Sequence, residues 1–156
     1  MKNKKWSIGL LVIFVIILAG ALSKRISPLS WKLHKAVNQG MFDNQAINGF
    51  DPVAYISDQA AIEGKHTIMY SWNKANWYFS TEGHKARFIE NPEQYIPQFG
   101  GYCSFAVSKG FTANTDPNVF AVQNGKIYLF ASEDVKKDWL REAKESLNIS
   151  NLNWVQ

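Results

Sequence analysis

Apolar and polar positions follow three different rhythms along this chain. Residues 10–18 (LLVIFVIIL) are continuously apolar, inside an uncharged run over 6–22. Nine large apolar residues with no polar face predict an N-terminal apolar helix rather than one side of a globular core. Residues 67–72 and 76–79 are β-prone runs separated by Asn73, Lys74 and Ala75, which predicts a hairpin with a short loop. Residues 119–123 and 126–130 flank Asn124-Gly125, the strongest short-range hairpin signal in the chain. The third rhythm is helical. Val135, Trp139 and Ala143 recur every four residues and predict a helix over 133–147, capped by Ser132 and opened by Glu133 and Asp134.

Between the hairpins the punctuation is as informative as the pattern. Thr81 is a cap and Glu82 an acidic first-turn residue, so a helix is expected over 82–90. Asn91-Pro92 repeats the start signal for 92–98, with Phe88, Tyr95 and Phe99 as core anchors. Gly100-Gly101 permits backbone angles closed to other residues, and Gly110 stops a short helix or turn over 104–108. Pro52 biases Asp51 away from helix, and 57–66 reads as loop. Residues 31–37 read as a short helix in a linker, and 151–156 as a tail held by Trp154. No internal repeat and no low-complexity segment is legible. Hairpin, helices, hairpin, helix is not βαβ alternation. It predicts an α+β fold, a small antiparallel sheet of hairpins packed with short helices, preceded by one N-terminal apolar helix.

At 156 residues the chain holds one domain and a leading segment, divided here as 1–25, 26–42 and 43–156. Charge sharpens that division. Seven basic and no acidic residues precede Asp43, whereas ten basic and thirteen acidic residues follow from there, a net of −3. A basic start before an apolar run predicts a signal peptide or a membrane anchor through 6–22, with the domain exported or, after cleavage, secreted. A mildly acidic domain without a basic patch argues against nucleic acid. Six Trp supply bulk for a core.

Candidate chemistry gathers in 77–103. Cys103 is the only cysteine, so no intramolecular disulfide and no paired-cysteine zinc site can form. Thiolate and imidazole bind soft and borderline metals, which nominates Cys103 with His84 for copper or zinc if the diglycine folds one toward the other. The bland alternative is a Cys103 packed as a small core residue and a His84 facing solvent. Asp51 is either a carboxylate ligand or a turn residue bonding its own backbone. Asp51, Tyr55 and Tyr102 are the candidate lining of a ligand pocket near Cys103. His34 and His66 are weaker candidates. A Cys–His pair can also make a nucleophile, but no motif nominates a third, orienting group.

The set Asp51-Pro52-Val53, the WYFS run from Trp77 to Ser80, Phe88, the NPEQY stretch from Asn91 to Tyr95 and the GGYC ending at Cys103 resembles a YHS domain. It is similar in particular to the branch with DPVAY and GGYC, in which an NGK hairpin and a terminal NW also recur. The resemblance covers about residues 46–154. It implies a small metal-associated or binding domain. In cysteine-bearing forms the pattern reads DPVC and FCSxxC; the matching positions here are Ala54, Ser80 and His84, so that thiol set is missing. The reading that results is a binder of a metal ion or small ligand near Cys103. The alternatives are a metal-free protein-interaction module with a buried Cys and a Cys-dependent enzyme.

Overall fold

The computed structural model describes residues 2–24 and 26–154, with only the backbone described for 2–8, 22 and 23. Along the chain lie α1 (Lys2–Ser23), β1 (Ser27–Pro28), α2 (Ala54–Ser57), β2 (Lys65–Trp72), β3 (Ala75–Phe79), α3 (Glu82–Glu90) and α4 (Pro92–Tyr95). There follow α5 (Ser104–Ser108), β4 (Phe111–Thr112), β5 (Asp116–Gln123), β6 (Lys126–Phe130), α6 (Glu133–Arg141) and α7 (Ala143–Asn153). The fold is mixed α+β. Its strands form three separate antiparallel pairs, β1–β4, β2–β3 and β5–β6, instead of one sheet.

Both hairpins stand where the alternation places them, and α3 and α6 start at Thr81 and Ser132, whose hydroxyls accept from the N–H of His84 and Val135. Three elements differ from expectation. The helix expected over 92–98 ends at Tyr95, because Pro97 holds Ile96 in extended backbone. The last helix breaks at Glu142 and resumes as α7 to Asn153, so the expected tail is largely helical. The segment 31–37 forms no helix beyond one 3-10 turn at Leu29–Trp31. The two ends of the preceding segment are nonetheless docked: β1 pairs with β4, and Leu29, Val37 and Asn38 are buried.

Contrary to the reading of the sequence, the domain is built twice. Each position of the second hairpin lies 51 residues after its counterpart in the first. Lys65–Phe79, Met69–Tyr78 and Trp72–Ala75 pair in one; Asp116–Phe130, Phe120–Leu129 and Gln123–Lys126 pair in the other. Both ladders slip at the same place, between Lys65 and Met69 and between Asp116 and Phe120. Both turns place two residues at positive φ, Asn73-Lys74 and Asn124-Gly125, the geometry that matches strand twist in a two-residue hairpin. Helices α3 and α6 keep the same spacing, as do Phe88 and Trp139, each fully buried at the centre of its own aromatic cluster.

Upstream of each hairpin is a left-handed turn. Ile47, Asn48 and Gly49 have φ of 42°, 55° and 83°; Phe99, Gly100 and Gly101 have 55°, 62° and 80°. The two turns pack against each other, and a Cβ on Gly101 would meet Ile47 Cγ2 at 2.7 Å. Asn38 stitches them together. Its backbone N–H donates to Gly100 O, its side chain donates to Gly101 O, and its carbonyl accepts from Ile47 N–H.

Residues 9–21 of α1 are those of the apolar run whose side chains are described, and Leu10 to Leu18 are exposed. Among the described residues no helix is long and apolar enough to cross a membrane. The reading of 6–22 as a membrane anchor, and with it the membrane-anchored placement of the domain, is corrected on that finding.

The turn packing predicts a contrast between two glycines. Gly125→Ala, whose Cβ would meet nothing within 4 Å, is expected to cost about 1 kcal/mol of left-handed strain. Gly101→Ala adds a clash worth roughly a further 1–3 kcal/mol. Urea unfolding of the two variants should rank them in that order.

Candidate functional site

The carboxylate of Asp51 is the most heavily used polar group in the domain. It is fully buried. Oδ1 accepts from the N–H of Val53 at 2.9 Å and Ala54 at 3.4 Å, an Asx turn that opens α2. Oδ2 accepts from Ser80 N–H at 2.8 Å, from Ser80 Oγ at 2.7 Å and from His84 Nδ1 at 2.7 Å. One side chain therefore ties α2, the end of β3 and the first turn of α3. The sequence reading offered ligand or turn residue for Asp51; the turn is present, and the carboxylate has no lone pair left for a ligand.

Because that carboxylate only accepts, Nδ1 of His84 carries the hydrogen. Nε2 points toward the surface, 3.5 Å from Oδ2 of Asp58, and the His84 side chain is 12% exposed. Ser80, His84 and Asp51 match a hydrolase triad by type but not by wiring. The Ser80 hydroxyl donates to Asp51 and lies 3.3 Å from Nδ1, on the wrong side of the ring for proton removal by Nε2.

Cys103 has other company. It is 2% exposed, and its N–H donates to Ala113 O. Burial pushes its thiol pKa up, offset in part by the backbone N–H groups of Ala106, Ala131 and Phe105 that face the sulfur. These are the counterparts of Ala54, Ser80 and Val53, which hold Asp51. Cys103 is thus the second half's Asp51, in the same cradle, with Ala131 and Val135 where the first half has Ser80 and His84. No hydrogen bond joins Cys103 to His84, and the fold places them in opposite halves. Among the described residues no group of three or more His, Cys, Asp or Glu is placed to hold a metal ion. That finding gives no support to metal binding as a property of the domain. Cys103 and His84 stand in different cradles, and His84 Nδ1 is engaged by Asp51.

Tyr55 is fully buried and donates to Pro117 O at 2.9 Å. Burial, with Asp116 and Asp51 nearby, pushes its hydroxyl pKa up. Tyr102 is buried against His34 and Trp154. His34 packs on Trp154 as well, and burial lowers its pKa. His66 stacks edge-on against Tyr78.

The open space lies elsewhere. A cleft of about 460 Å³ runs between the tip of the first hairpin, the α4 region and the end of α7. Trp72, Trp77, Ile96, Phe99 and Trp154 share its lining with Asn73, Gln98 and Asn151, and Glu93 is the only charged residue on it. Asp51, Tyr55 and Tyr102 are not part of that lining. The sequence carried the clue in Trp72, an indole ending a strand where the counterpart in the other hairpin is Gln123. Comparison with protein-family models, with curated proteins and with solved structures gave no match.

Two substitutions test the paired cradles. Asp51→Ala strands the N–H of Val53, the N–H of Ser80 and the imidazole, and is expected to cost about 3 kcal/mol in urea unfolding. If the cradle around Cys103 needs an acceptor, Cys103→Ser will be more stable than Cys103→Ala by about 1 kcal/mol. A thiol serving only as an apolar filler predicts the reverse order, since a buried hydroxyl without a partner is costly.

Proposed function

We propose that this chain is a YHS-like, metal-free binding module, and that its ligand occupies the cleft between Trp72 and Trp154. The resemblance in Asp51 to Val53, Trp77 to Ser80 and Gly100 to Cys103 supports the family reading; the family implies metal binding, and its thiol positions are Ala54, Ser80 and His84 here. The cleft is the observation that carries the proposal. Its volume falls in the range of small-molecule sites, and its lining combines aromatic side chains with a few polar groups.

An enzymatic role has less support. An activated cysteine needs a lowered pKa and access, whereas burial raises that of Cys103 and hides it. His84 is oriented by Asp51 but faces no nucleophile. The mildly acidic charge of 43–156 favours no nucleic acid.

The test is a map of small-probe binding. Phenol, cyclohexanol and choline are added to isotope-labelled protein, and the indole N–H signals of the six tryptophans are followed by NMR. Shifts confined to Trp72 and Trp154, with Trp139 unmoved, are expected. Perturbation centred on the amides around His84 or Cys103, with the cleft silent, would overturn the assignment.

A further inference from the structure

We infer that the cleft takes a quaternary organic cation, of the trimethylammonium class. The inference rests on the reading of the cleft as a ligand site and adds the chemistry of what it holds.

Charge is the first ground. Glu93 is exposed and makes no ion pair or hydrogen bond, while Lys85, Lys109, Lys136, Lys137 and Arg141 all sit beside carboxylates. No basic residue lines the cleft. A carboxylate on a lining that carries no basic residue attracts a positive guest.

The walls are the second ground. Trp72 and Trp154 are both partly exposed and both line the cleft, from opposite halves of the domain. Trp77 forms the buried floor, tilted 58° from Trp72, with its indole N–H donating to Trp72 O at 3.1 Å. That bond occupies the polar edge of Trp77. Indole faces attract a cation through their quadrupole.

Hydration distinguishes the kind of cation. A primary ammonium carries three N–H donors and is strongly hydrated. This lining offers it one carboxylate and a few amide side chains, Asn73, Gln98 and Asn151. A tetra-alkylated nitrogen has no donor to satisfy and exposes methyl groups that suit apolar walls, so it loses less on leaving water. Aromatic recognition with one carboxylate is the arrangement that suits such guests.

The experiment compares choline with 3,3-dimethylbutan-1-ol, its neutral isostere, on the full chain by tryptophan fluorescence and NMR. Choline is expected to saturate, with the isostere at least about fivefold weaker, as a cation–π contribution of ~1 kcal/mol implies. Glu93→Gln, at an exposed position outside the core, should weaken choline roughly threefold or more and leave the isostere unchanged. Equal binding of choline and the isostere would show a working cleft with no cation preference, and so overturn this inference while leaving the binding module standing. Tighter binding of the primary ammonium of Nα-acetyl-lysine methylamide than of choline would overturn the quaternary class. Binding of neither probe, with Trp72 and Trp154 signals unmoved by phenol and cyclohexanol as well, would sink both proposals. Thermal unfolding of Glu93→Gln at the wild-type temperature is the control that its fold is intact.

Discussion

The first half of the domain depends on a carboxylate that water never reaches. Asp51 is buried with five donors converging on its two oxygens. A buried charge is tolerable only when such partners replace its hydration. Each partner sits on a different piece of chain, so satisfying the carboxylate fixes three elements relative to one another. The imidazole of His84 is oriented as a by-product of this.

In the second half the same geometry is kept with softer chemistry. Cys103 faces the corresponding three N–H groups, and Val135 fills the position of the imidazole. A thiol is a weak acceptor and a good small hydrophobe, so the second cradle is less polar and needs no outer partner. Asymmetry between two otherwise matched halves is what separates scaffold from chemistry here. Elements common to both serve the fold, namely the bulged hairpin, the capped helix and the central aromatic. Ser80, His84 and Trp72 stand on one side only.

Much of the architecture was legible from local signals. Asn124-Gly125, Thr81 and Ser132 declared their turn and caps because those residues act through their own backbone neighbourhood. The duplication was not legible. Strand and helix positions are constrained by burial and pleat more than by identity, so Phe88 and Trp139, or Asn76 and Ile127, fill equivalent places without looking alike. Left-handed Ile47 and Phe99 were also hidden, since β-branched and aromatic residues seldom take positive φ and only tertiary packing holds them there. For the site, the sequence named Asp51, His84 and Cys103, and the fold bonds the first two to each other. Spacing suggested a thiol–imidazole partnership through the diglycine, whereas His84 is reached from 33 residues upstream, by Asp51. The cleft drew on Trp72, Glu93 and Trp154, residues far apart in the chain with no shared motif.

Asn38 has a consequence for how the molecule is assembled. It belongs to neither half, yet it supplies the hydrogen bonds that hold the left-handed turn of one against that of the other. The stretch from Ser27 to Asn38 is therefore a clasp, closed on the seam from outside. A fragment beginning at residue 43 keeps both hairpins and both aromatic clusters but takes the Asn38 N–H from the Gly100 carbonyl and leaves the Gly101 carbonyl to Thr115. Boundaries drawn from motif coverage alone would cut away the strap that keeps the two lobes in register.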